Sequence, residues 1–297
     1  MSSEGFARVP AALGVARAWR VLRASLRLDE VLVLQGAPLL GALLAMGPPR
    51  VTMLPALALF TLGSCCLVAH VFLLNDWAGT ESDRRDPNRA CAVPRRTLGH
   101  LSIVALLLTL LLLAPFGPGI VATGLAIAGL SALYSLRPWA AKGVPVLGSL
   151  VHLTGGVLHF HLGYALFAAP GGRSLALSAF FALTFAAGHL MQEVGDHDAD
   201  RLNGIRTNAV AFGRTAAFVA GLALFAVADA VLVWMAVRGV VPRSLVAVAA
   251  LFALHLGWSL RTLRAGLTFE GIRRLRRRYR WLYAVVGLSM VAAAFAG

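Results

Sequence analysis

Charged residues are scarce in this chain of 297 residues: Asp, Glu, Lys and Arg together make up only 13%, and just 13 residues are acidic. Soluble domains carry about a quarter of such residues, so the composition excludes an ordinary soluble fold. Hydrophobic residues reach 59%, and the mean hydropathy is +0.77. The sequence therefore predicts an integral membrane protein.

Cysteine and lysine are also rare. Cys65, Cys66 and Cys91 form no C-x-x-C pair and no disulfide framework, so neither redox nor zinc chemistry is indicated. Lys142 is the only lysine, and arginine supplies nearly all of the basic excess behind a net charge of +14. Because the arginines fall between apolar runs, they indicate membrane topology and contacts with anionic lipids, and we expect no nucleic-acid partner.

Nine apolar stretches are long enough to cross a membrane, since a helical span needs about 20 residues and shorter spans are tolerated between anchors. They lie at 31–47, 52–74, 98–115, 118–136, 144–168, 174–193, 213–237, 242–262 and 281–296. Basic residues gather in alternate loops, which places those loops in the cytoplasm. The sequence thus predicts an all-α, multi-pass protein with nine transmembrane helices, which we expect in a bacterial cytoplasmic membrane.

The two ends of the chain carry basic segments. Residues 1–30 contain five arginines and predict an amphipathic helix on the cytoplasmic face. Residues 31–297 are expected to form a single membrane domain, because no polar segment is long enough for a separate core. The run RRLRRRYR at 273–280 is interpreted as an anchor for anionic lipids.

Two short polar segments, 75–96 and 192–207, hold eight of the thirteen acidic residues. Asp76 and Asp83 are seven positions apart, and Asp196 and Asp200 are four apart, so each pair lies on one face of a helix. Loops that are merely solvated would not be expected to place acidic residues at helical intervals in both segments. Oxygen ligands without a His or Cys cluster suit Mg²⁺, which shares its shell with substrate phosphates. Together with nearby arginines, they predict a site for a diphosphate with a lipid tail.

Three motifs in this order resemble those of the UbiA-type intramembrane prenyltransferase superfamily. NDWAGTESDRRDPNR resembles the family's first signature, and DHDADRLNGIRTNAVAFG resembles the second. ALYSLRPWAAKG, between them, is similar to the family's tyrosine and basic loop. The motifs follow predicted spans two, four and six, so the resemblance covers essentially the whole chain.

The resemblance implies a helical bundle around a lipid-open central cavity, in which Mg²⁺ bridges both Asp motifs to a prenyl diphosphate. Metal ligands would be Asn75, Asp76, Asp83, Asp196 and Asp200. Diphosphate would also contact Asn75, Arg89, Arg137 and Arg206. The four aspartates, with Tyr134 and Lys142, would form the catalytic set.

Three departures separate this chain from the family pattern. Gly79 stands where the first motif has its middle Asp, so one metal ligand is missing and Asn75 or water must complete the shell. Ala90 replaces the proline usual after Arg89. The spacing from Tyr134 to Lys142 is longer than the commonest form, although Arg137 is near enough to serve.

The expected activity is Mg²⁺-dependent transfer of an isoprenyl chain from a polyprenyl diphosphate to an aromatic or other lipophilic acceptor. A membrane terpene cyclase is one alternative. A transporter or lipid-binding protein is another, suggested by Asp229 within a span and by Gly79. His152 and His159 share a helix face and either accept a proton from the acceptor or are packed for structural reasons.

Overall fold

Helices account for all the regular structure in the described residues, which are 26–79 and 93–296 of a computed structural model. Within those ranges there is no β-strand. The α-helices are α1 Leu28–Leu34, α2 Gly36–Ala45, α3 Leu54–Gly79, α4 Arg95–Leu113, α5 Pro118–Ser135, α6 Leu147–Tyr164, α7 Gly172–Leu202, α8 Asn208–Phe212, α9 Arg214–Val237, α10 Leu245–Ala249, α11 Phe252–Arg264 and α12 Phe269–Ala296.

Glycine, proline and serine define several helix ends. Pro118 begins α5 directly after Gly117, whose φ is +95°. Glycine reaches this region at little cost, and proline suits the first turn because its missing N–H would have no helical partner there. At the start of α7 the hydroxyl of Ser174 accepts the N–H of Gly171 at 2.8 Å. This bond satisfies a donor that the helix itself leaves unpaired.

Seven helical segments in the described ranges are long and apolar enough to cross a membrane. They are Leu28–Ala45, Val51–Gly79, Arg95–Phe116, Pro118–Ser135, Gly172–Leu202, Arg214–Val237 and Leu245–Arg264. The other two predicted spans coincide with α6, which carries three histidines, and with α12, which begins with the arginine run. An all-helical membrane protein is confirmed, and the count of nine spans stays a prediction.

The long helices pack side by side so that the last helix returns to the start of the bundle. α3 packs on α4 and α5, and α5 packs on α6. α6 contacts α2 and α7, and α7 contacts α9 and α12. α12 also touches α2 and α11. The arginine run at the start of α12 is therefore carried on a helix that packs against α7, where the second acidic motif lies.

Two glycines allow α2 and α6 to approach closely. A Cβ at Gly163 would lie 1.7 Å from the carbonyl oxygen of Pro38, and one at Gly41 would lie 2.2 Å from that of Phe160. These distances involve backbone atoms, which cannot rotate away. Close backbone contact between small residues is a main source of helix association in lipid, where burial of apolar surface gives little gain.

Gly163→Ala is therefore expected to destabilise the bundle by about 1–3 kcal/mol, because the added methyl group forces α2 and α6 apart. Gly155→Ala is the matched control on the same helix, since its Cβ would meet only the Phe185 ring at 3.8 Å. Thermal unfolding of the purified protein in detergent measures the difference. Equal midpoints for the two variants would contradict this account of the contact.

Candidate functional site

A pocket of 1410 Å³ is lined by residues of α1, α2, α3, α5, α6, α7, α9 and α12. Carboxylates, amides and arginines line the part near Asp196, and aromatic rings including Phe181 line the part further along α7. Asp196 and Phe181 are 15 residues apart on this helix, which corresponds to about 22 Å along its axis. The pocket thus has a charged region and an elongated apolar region.

Six of the predicted site residues line this pocket. They are Asn75, Asp76, Tyr134, Lys142, Asp196 and Asp200. These residues come from three stretches that are distant in sequence: the end of α3, the end of α5 with the loop after it, and the second half of α7. The fold therefore brings together residues from all three predicted motifs.

The second acidic motif lies on a continuous helix. The sequence predicts a span that ends at 193, whereas α7 continues through the polar segment to Leu202. Charged side chains end an apolar run without ending a helix, because Glu, Asp and Arg remain compatible with helical backbone. Glu193, Asp196 and Asp200 consequently line the same wall of the pocket, as their spacing predicts.

The first acidic motif begins in the last turn of α3. The carboxylate of Asp76 is 6% exposed, and its Oδ1 accepts a hydrogen bond from Nη2 of Arg27 at 2.6 Å. The Arg27 guanidinium also lies over the Phe72 ring, 5.4 Å from its centroid. Asp83 and Arg89 fall outside the described residues, so their part in the site stays a prediction.

Asn208 ties the loop that follows α5 to the second motif. Its side-chain oxygen accepts the N–H of Val146 at 2.7 Å, and its side-chain nitrogen donates to the hydroxyl of Ser149 at 3.1 Å. Glu193 accepts both the backbone N–H of Asn208 at 3.0 Å and its side-chain N–H at 2.9 Å. Because Lys142 belongs to this loop, the network fixes the loop relative to α7.

A second cross-link joins the first motif to α5. The hydroxyl of Ser135 donates to the side-chain oxygen of Asn75 at 3.4 Å. Ser135 follows Tyr134, which lines the pocket. The amide of Asn75 and the ring of Tyr134 are therefore held on neighbouring helices.

Arginines of α12 contribute to the pocket, although the sequence indicated only a lipid anchor. Nη2 of Arg276 donates to the side-chain oxygen of Gln192 at 3.1 Å, one helical turn before Asp196. Arg280 makes two hydrogen bonds to Glu30 on α1, at 3.1 and 2.6 Å. Both arginines line the pocket. Whether these arginines face lipid or the pocket depends on how α12 packs against its neighbours, and the periodicity of the sequence does not predict that packing.

Two histidine rings stack beside the same pocket. The rings of His152 on α6 and His189 on α7 have centroids 3.6 Å apart and planes within 8° of parallel. The ring of Tyr134 meets His152 edge-on at 4.9 Å. Nε2 of His189 lies 3.0 Å from Oε1 of Glu193, at ion-pair distance but without hydrogen-bond geometry. The sequence suggested His152 and His159 as a pair and missed that His189 is the partner.

Three other residues singled out in the sequence lie away from the pocket wall. Arg137 and Arg206 are exposed and are not among the residues that line it. Asp229, within α9, accepts a hydrogen bond from the hydroxyl of Tyr283 at 2.9 Å. Tyr283 lines the pocket, whereas Asp229 lies behind it. The diphosphate-binding roles of Arg137 and Arg206 stay predictions.

The ligand types fit a hard cation. Asn75, Asp76, Asp196 and Asp200 offer only oxygen donors to the pocket, which is the ligand class of Mg²⁺. Within residues 26–79 and 93–296, no three His, Cys, Asp or Glu side chains lie close enough to hold a metal ion by themselves. A cation here would complete its shell with ligand oxygens and water, as Mg²⁺ usually does.

Solved structures of several proteins share this fold. A UbiA homolog from Archaeoglobus fulgidus bound to GPP and Mg²⁺ is 17% identical, with a TM-score of 0.68 over 89% of this chain and 98% of that chain. A structure of digeranylgeranylglyceryl phosphate synthase is 14% identical, with a TM-score of 0.68 over 94% and 99%. The apo UbiA homolog from Aeropyrum pernix K1 is 18% identical, with a TM-score of 0.65 over 91% and 98%.

Sequence comparisons lead to the same family. A search of curated protein sequences gives no match. The profile of the UbiA prenyltransferase family, however, matches residues 36–281, from the start of α2 into α12. This match includes both acidic motifs and the loop that carries Lys142, and the chain therefore belongs to the UbiA prenyltransferase family.

Proposed function

We propose that this protein transfers an isoprenyl chain from a prenyl diphosphate to a lipophilic acceptor within the membrane, in a reaction that depends on Mg²⁺. One observation carries the proposal: oxygen donors on α3 and α7 face a single pocket that continues between apolar rings. The charged part suits a diphosphate, and the elongated apolar part suits its isoprenyl chain. Structures of this fold solved with GPP or DMAPP and Mg²⁺ support the same reading.

The metal would be held by the carboxylates and the amide of the two motifs. These are Asn75, Asp76, Asp83, Asp196 and Asp200. When bound, Mg²⁺ neutralises the diphosphate and makes it a better leaving group. Gly79 supplies no side-chain oxygen at the position where the family has an Asp, so the amide of Asn75 or a water molecule would take that place.

Basic side chains would stabilise the charge that develops on the departing diphosphate. The sequence motifs assign this role to Arg89, Arg137 and Arg206, with Lys142 and Tyr134 beside them. We add Arg27 and Arg276, because both line the pocket and contact motif residues or their neighbours. Arg27 would move from Asp76 to a phosphate oxygen when the carboxylate engages the metal. Preorganised cations of this kind lower the barrier because little rearrangement is needed during reaction.

The reaction would break the bond between C1 of the prenyl chain and the diphosphate oxygen. The electron pair leaves with the diphosphate, and the allylic cation that remains forms a bond to the acceptor. Phe181, Phe185 and their neighbours would exclude water, which otherwise captures the cation. The partners are thus a prenyl diphosphate, a lipophilic acceptor and the surrounding lipids.

We also propose a bacterial cytoplasmic membrane as the location, with the two acidic motifs on the cytoplasmic side. The distribution of arginines between alternate loops supports this orientation. Residues 31–297 would form one membrane domain, and residues 1–30 would precede it on the cytoplasmic face. The apolar part of the pocket would open to lipid, so that both substrates reach it from the bilayer.

Asp76→Ala and Asp196→Ala are each expected to lower Mg²⁺-dependent diphosphate release from geranyl diphosphate by about 100-fold or more, since each removes charge stabilisation at the reacting group. The assay uses the full chain in lipid nanodiscs. Asp198→Ala is the matched control, because this side chain is 72% exposed and pairs with Arg214 instead of lining the pocket.

Full activity in both variants would rule out the proposed mechanism. Product analysis in the same assay separates transfer from cyclisation. A prenylated acceptor supports transfer, whereas a cyclic hydrocarbon or alcohol formed without acceptor supports a terpene cyclase on the same fold.

Arg276→Gln is expected to raise the KM for prenyl diphosphate by about 10-fold, because a charge-assisted hydrogen bond contributes about 1.5–3 kcal/mol. Arg278→Gln is the control on the same helix, since Arg278 lies over the Trp258 ring and is not among the residues that line the pocket. Steady-state kinetics at saturating Mg²⁺ measure both variants. An effect of equal size in the control would assign the arginine run to lipid binding.

A further inference from the structure

The stacked histidines lie on the pocket wall between the acidic residues and the apolar part of the pocket. His189 precedes Asp196 by seven residues on α7, or about 10 Å along the helix axis. Both rings line the pocket, and Phe185 continues the same wall, 5.5 Å from the His152 ring. A diphosphate held at Asp196 would direct its prenyl chain past this level. The histidines therefore lie near the place where an acceptor must meet the chain.

Hydrogen bonding fixes the tautomer of His152. Its Nδ1 lies 2.9 Å from the carbonyl oxygen of Gly148. A carbonyl oxygen only accepts, so Nδ1 carries the hydrogen of the neutral ring and Nε2 carries the lone pair. Nε2 is therefore a proton acceptor on a ring that lines the pocket. The edge of the Tyr134 ring packs against the same imidazole and limits its rotation.

Glu193 supplies a negative charge for the pair. Its Oε1 lies 3.0 Å from Nε2 of His189. The two hydrogen bonds from Asn208 hold this carboxylate in place, and Glu193 is only 4% exposed. A fixed carboxylate beside an imidazole stabilises the cation that forms when the imidazole takes a proton. Two rings at 3.6 Å cannot both be cationic, so the pair takes one proton.

We propose that the His152–His189 pair accepts the proton that the prenyl acceptor loses, and that this proton comes from a hydroxyl group of the acceptor. This inference rests on the proposed transferase function. His152 is the catalytic residue, and His189 and Glu193 are positioning residues. The C1–O bond breaks with its electron pair on the diphosphate, and C1 bonds to the acceptor. One proton passes from the acceptor to Nε2 of His152 and leaves to water when the products depart.

Other residues packed around the pair do not fit this role. His159 also lines the pocket, but among the residues that the structure describes no carboxylate pairs with it and its Nδ1 is buried without a hydrogen bond. The Tyr134 hydroxyl is a donor in its neutral form and holds no lone pair as basic as that of imidazole. Lys142, also on the wall, carries a proton already. His152 is thus the best placed of the described groups to take a proton.

The test uses the full chain in nanodiscs with Mg²⁺, geranyl diphosphate and a panel of phenols, quinols and long-chain alcohols, each paired with its methyl ether. Diphosphate release and prenylated product are measured separately. We expect the wild type to prenylate a hydroxylated compound and not its ether. His152→Ala and His152→Gln should lower product formation by about 100-fold or more, while diphosphate release changes less than about threefold and the allylic cation ends as a diene, by loss of a proton, or as an alcohol, by capture of water. Added imidazole should restore product formation in His152→Ala.

His161→Gln is the matched control on the same helix. Its ring bonds to the carbonyl oxygen of Val157 and to Ser174, and it is not among the residues that line the pocket. We expect product formation in this variant to stay within about twofold of the wild type. Glu193→Gln should lower product formation and leave diphosphate release in place, as a positioning role requires.

Three results would overturn the inference. Product formation by His152→Gln at the wild-type rate excludes His152 as the proton acceptor. A loss in His152→Ala that imidazole does not restore assigns the ring a structural role. Transfer to the ethers, or to none of the hydroxylated compounds, excludes the acceptor class. By contrast, a wild type that releases no diphosphate with Mg²⁺ contradicts the proposed function itself.

Discussion

Negative charge inside an apolar bundle is the constraint on which the rest of this structure depends. Asp76, Asp196 and Asp200 face one pocket, where repulsion and lost hydration both raise their energy. The chain balances them with cations from its two ends: Arg27 contacts Asp76, and Arg276 reaches the residue one turn before Asp196. The acidic motifs on α3 and α7 thus require α1 and α12 nearby, and the return of α12 to α2 supplies that proximity.

The pocket divides into levels with different electrostatics. The outer level contains charged groups that suit a polyanion with its cation. At the next level the polar side chains include the imidazoles of His152 and His189, and aromatic rings line the part beyond it. Glu193 lies between the first two levels, and the hydrogen bonds that it accepts from Asn208 hold its carboxylate beside His189. A diphosphate bound in the charged part, as proposed, would thus hold the C1 atom of its prenyl chain in surroundings of lower polarity.

Much of this arrangement could be predicted from sequence because it is local. Apolar length predicts the spans, and the spacing of Glu193, Asp196 and Asp200 predicts a shared wall once the segment is helical. The contacts that complete the site could not be predicted, because they join residues 49 and 84 positions apart. The local periodicity of the sequence gives no information about which distant residues come into contact. The arginine run at 273–280 shows the limit most clearly, since the same composition suits a lipid anchor and a pocket wall.

The paired hydrogen bonds between Arg280 and Glu30 join residues 250 positions apart. The walls of the pocket therefore cannot close until nearly the whole chain has been synthesised and inserted. A growing chain would hold α3 and α7 in the membrane with their carboxylates lacking the α12 arginines. A chain that stops before α12 would therefore lack this part of the pocket wall, so the pocket as a whole depends on a contact between the first and the last described helices.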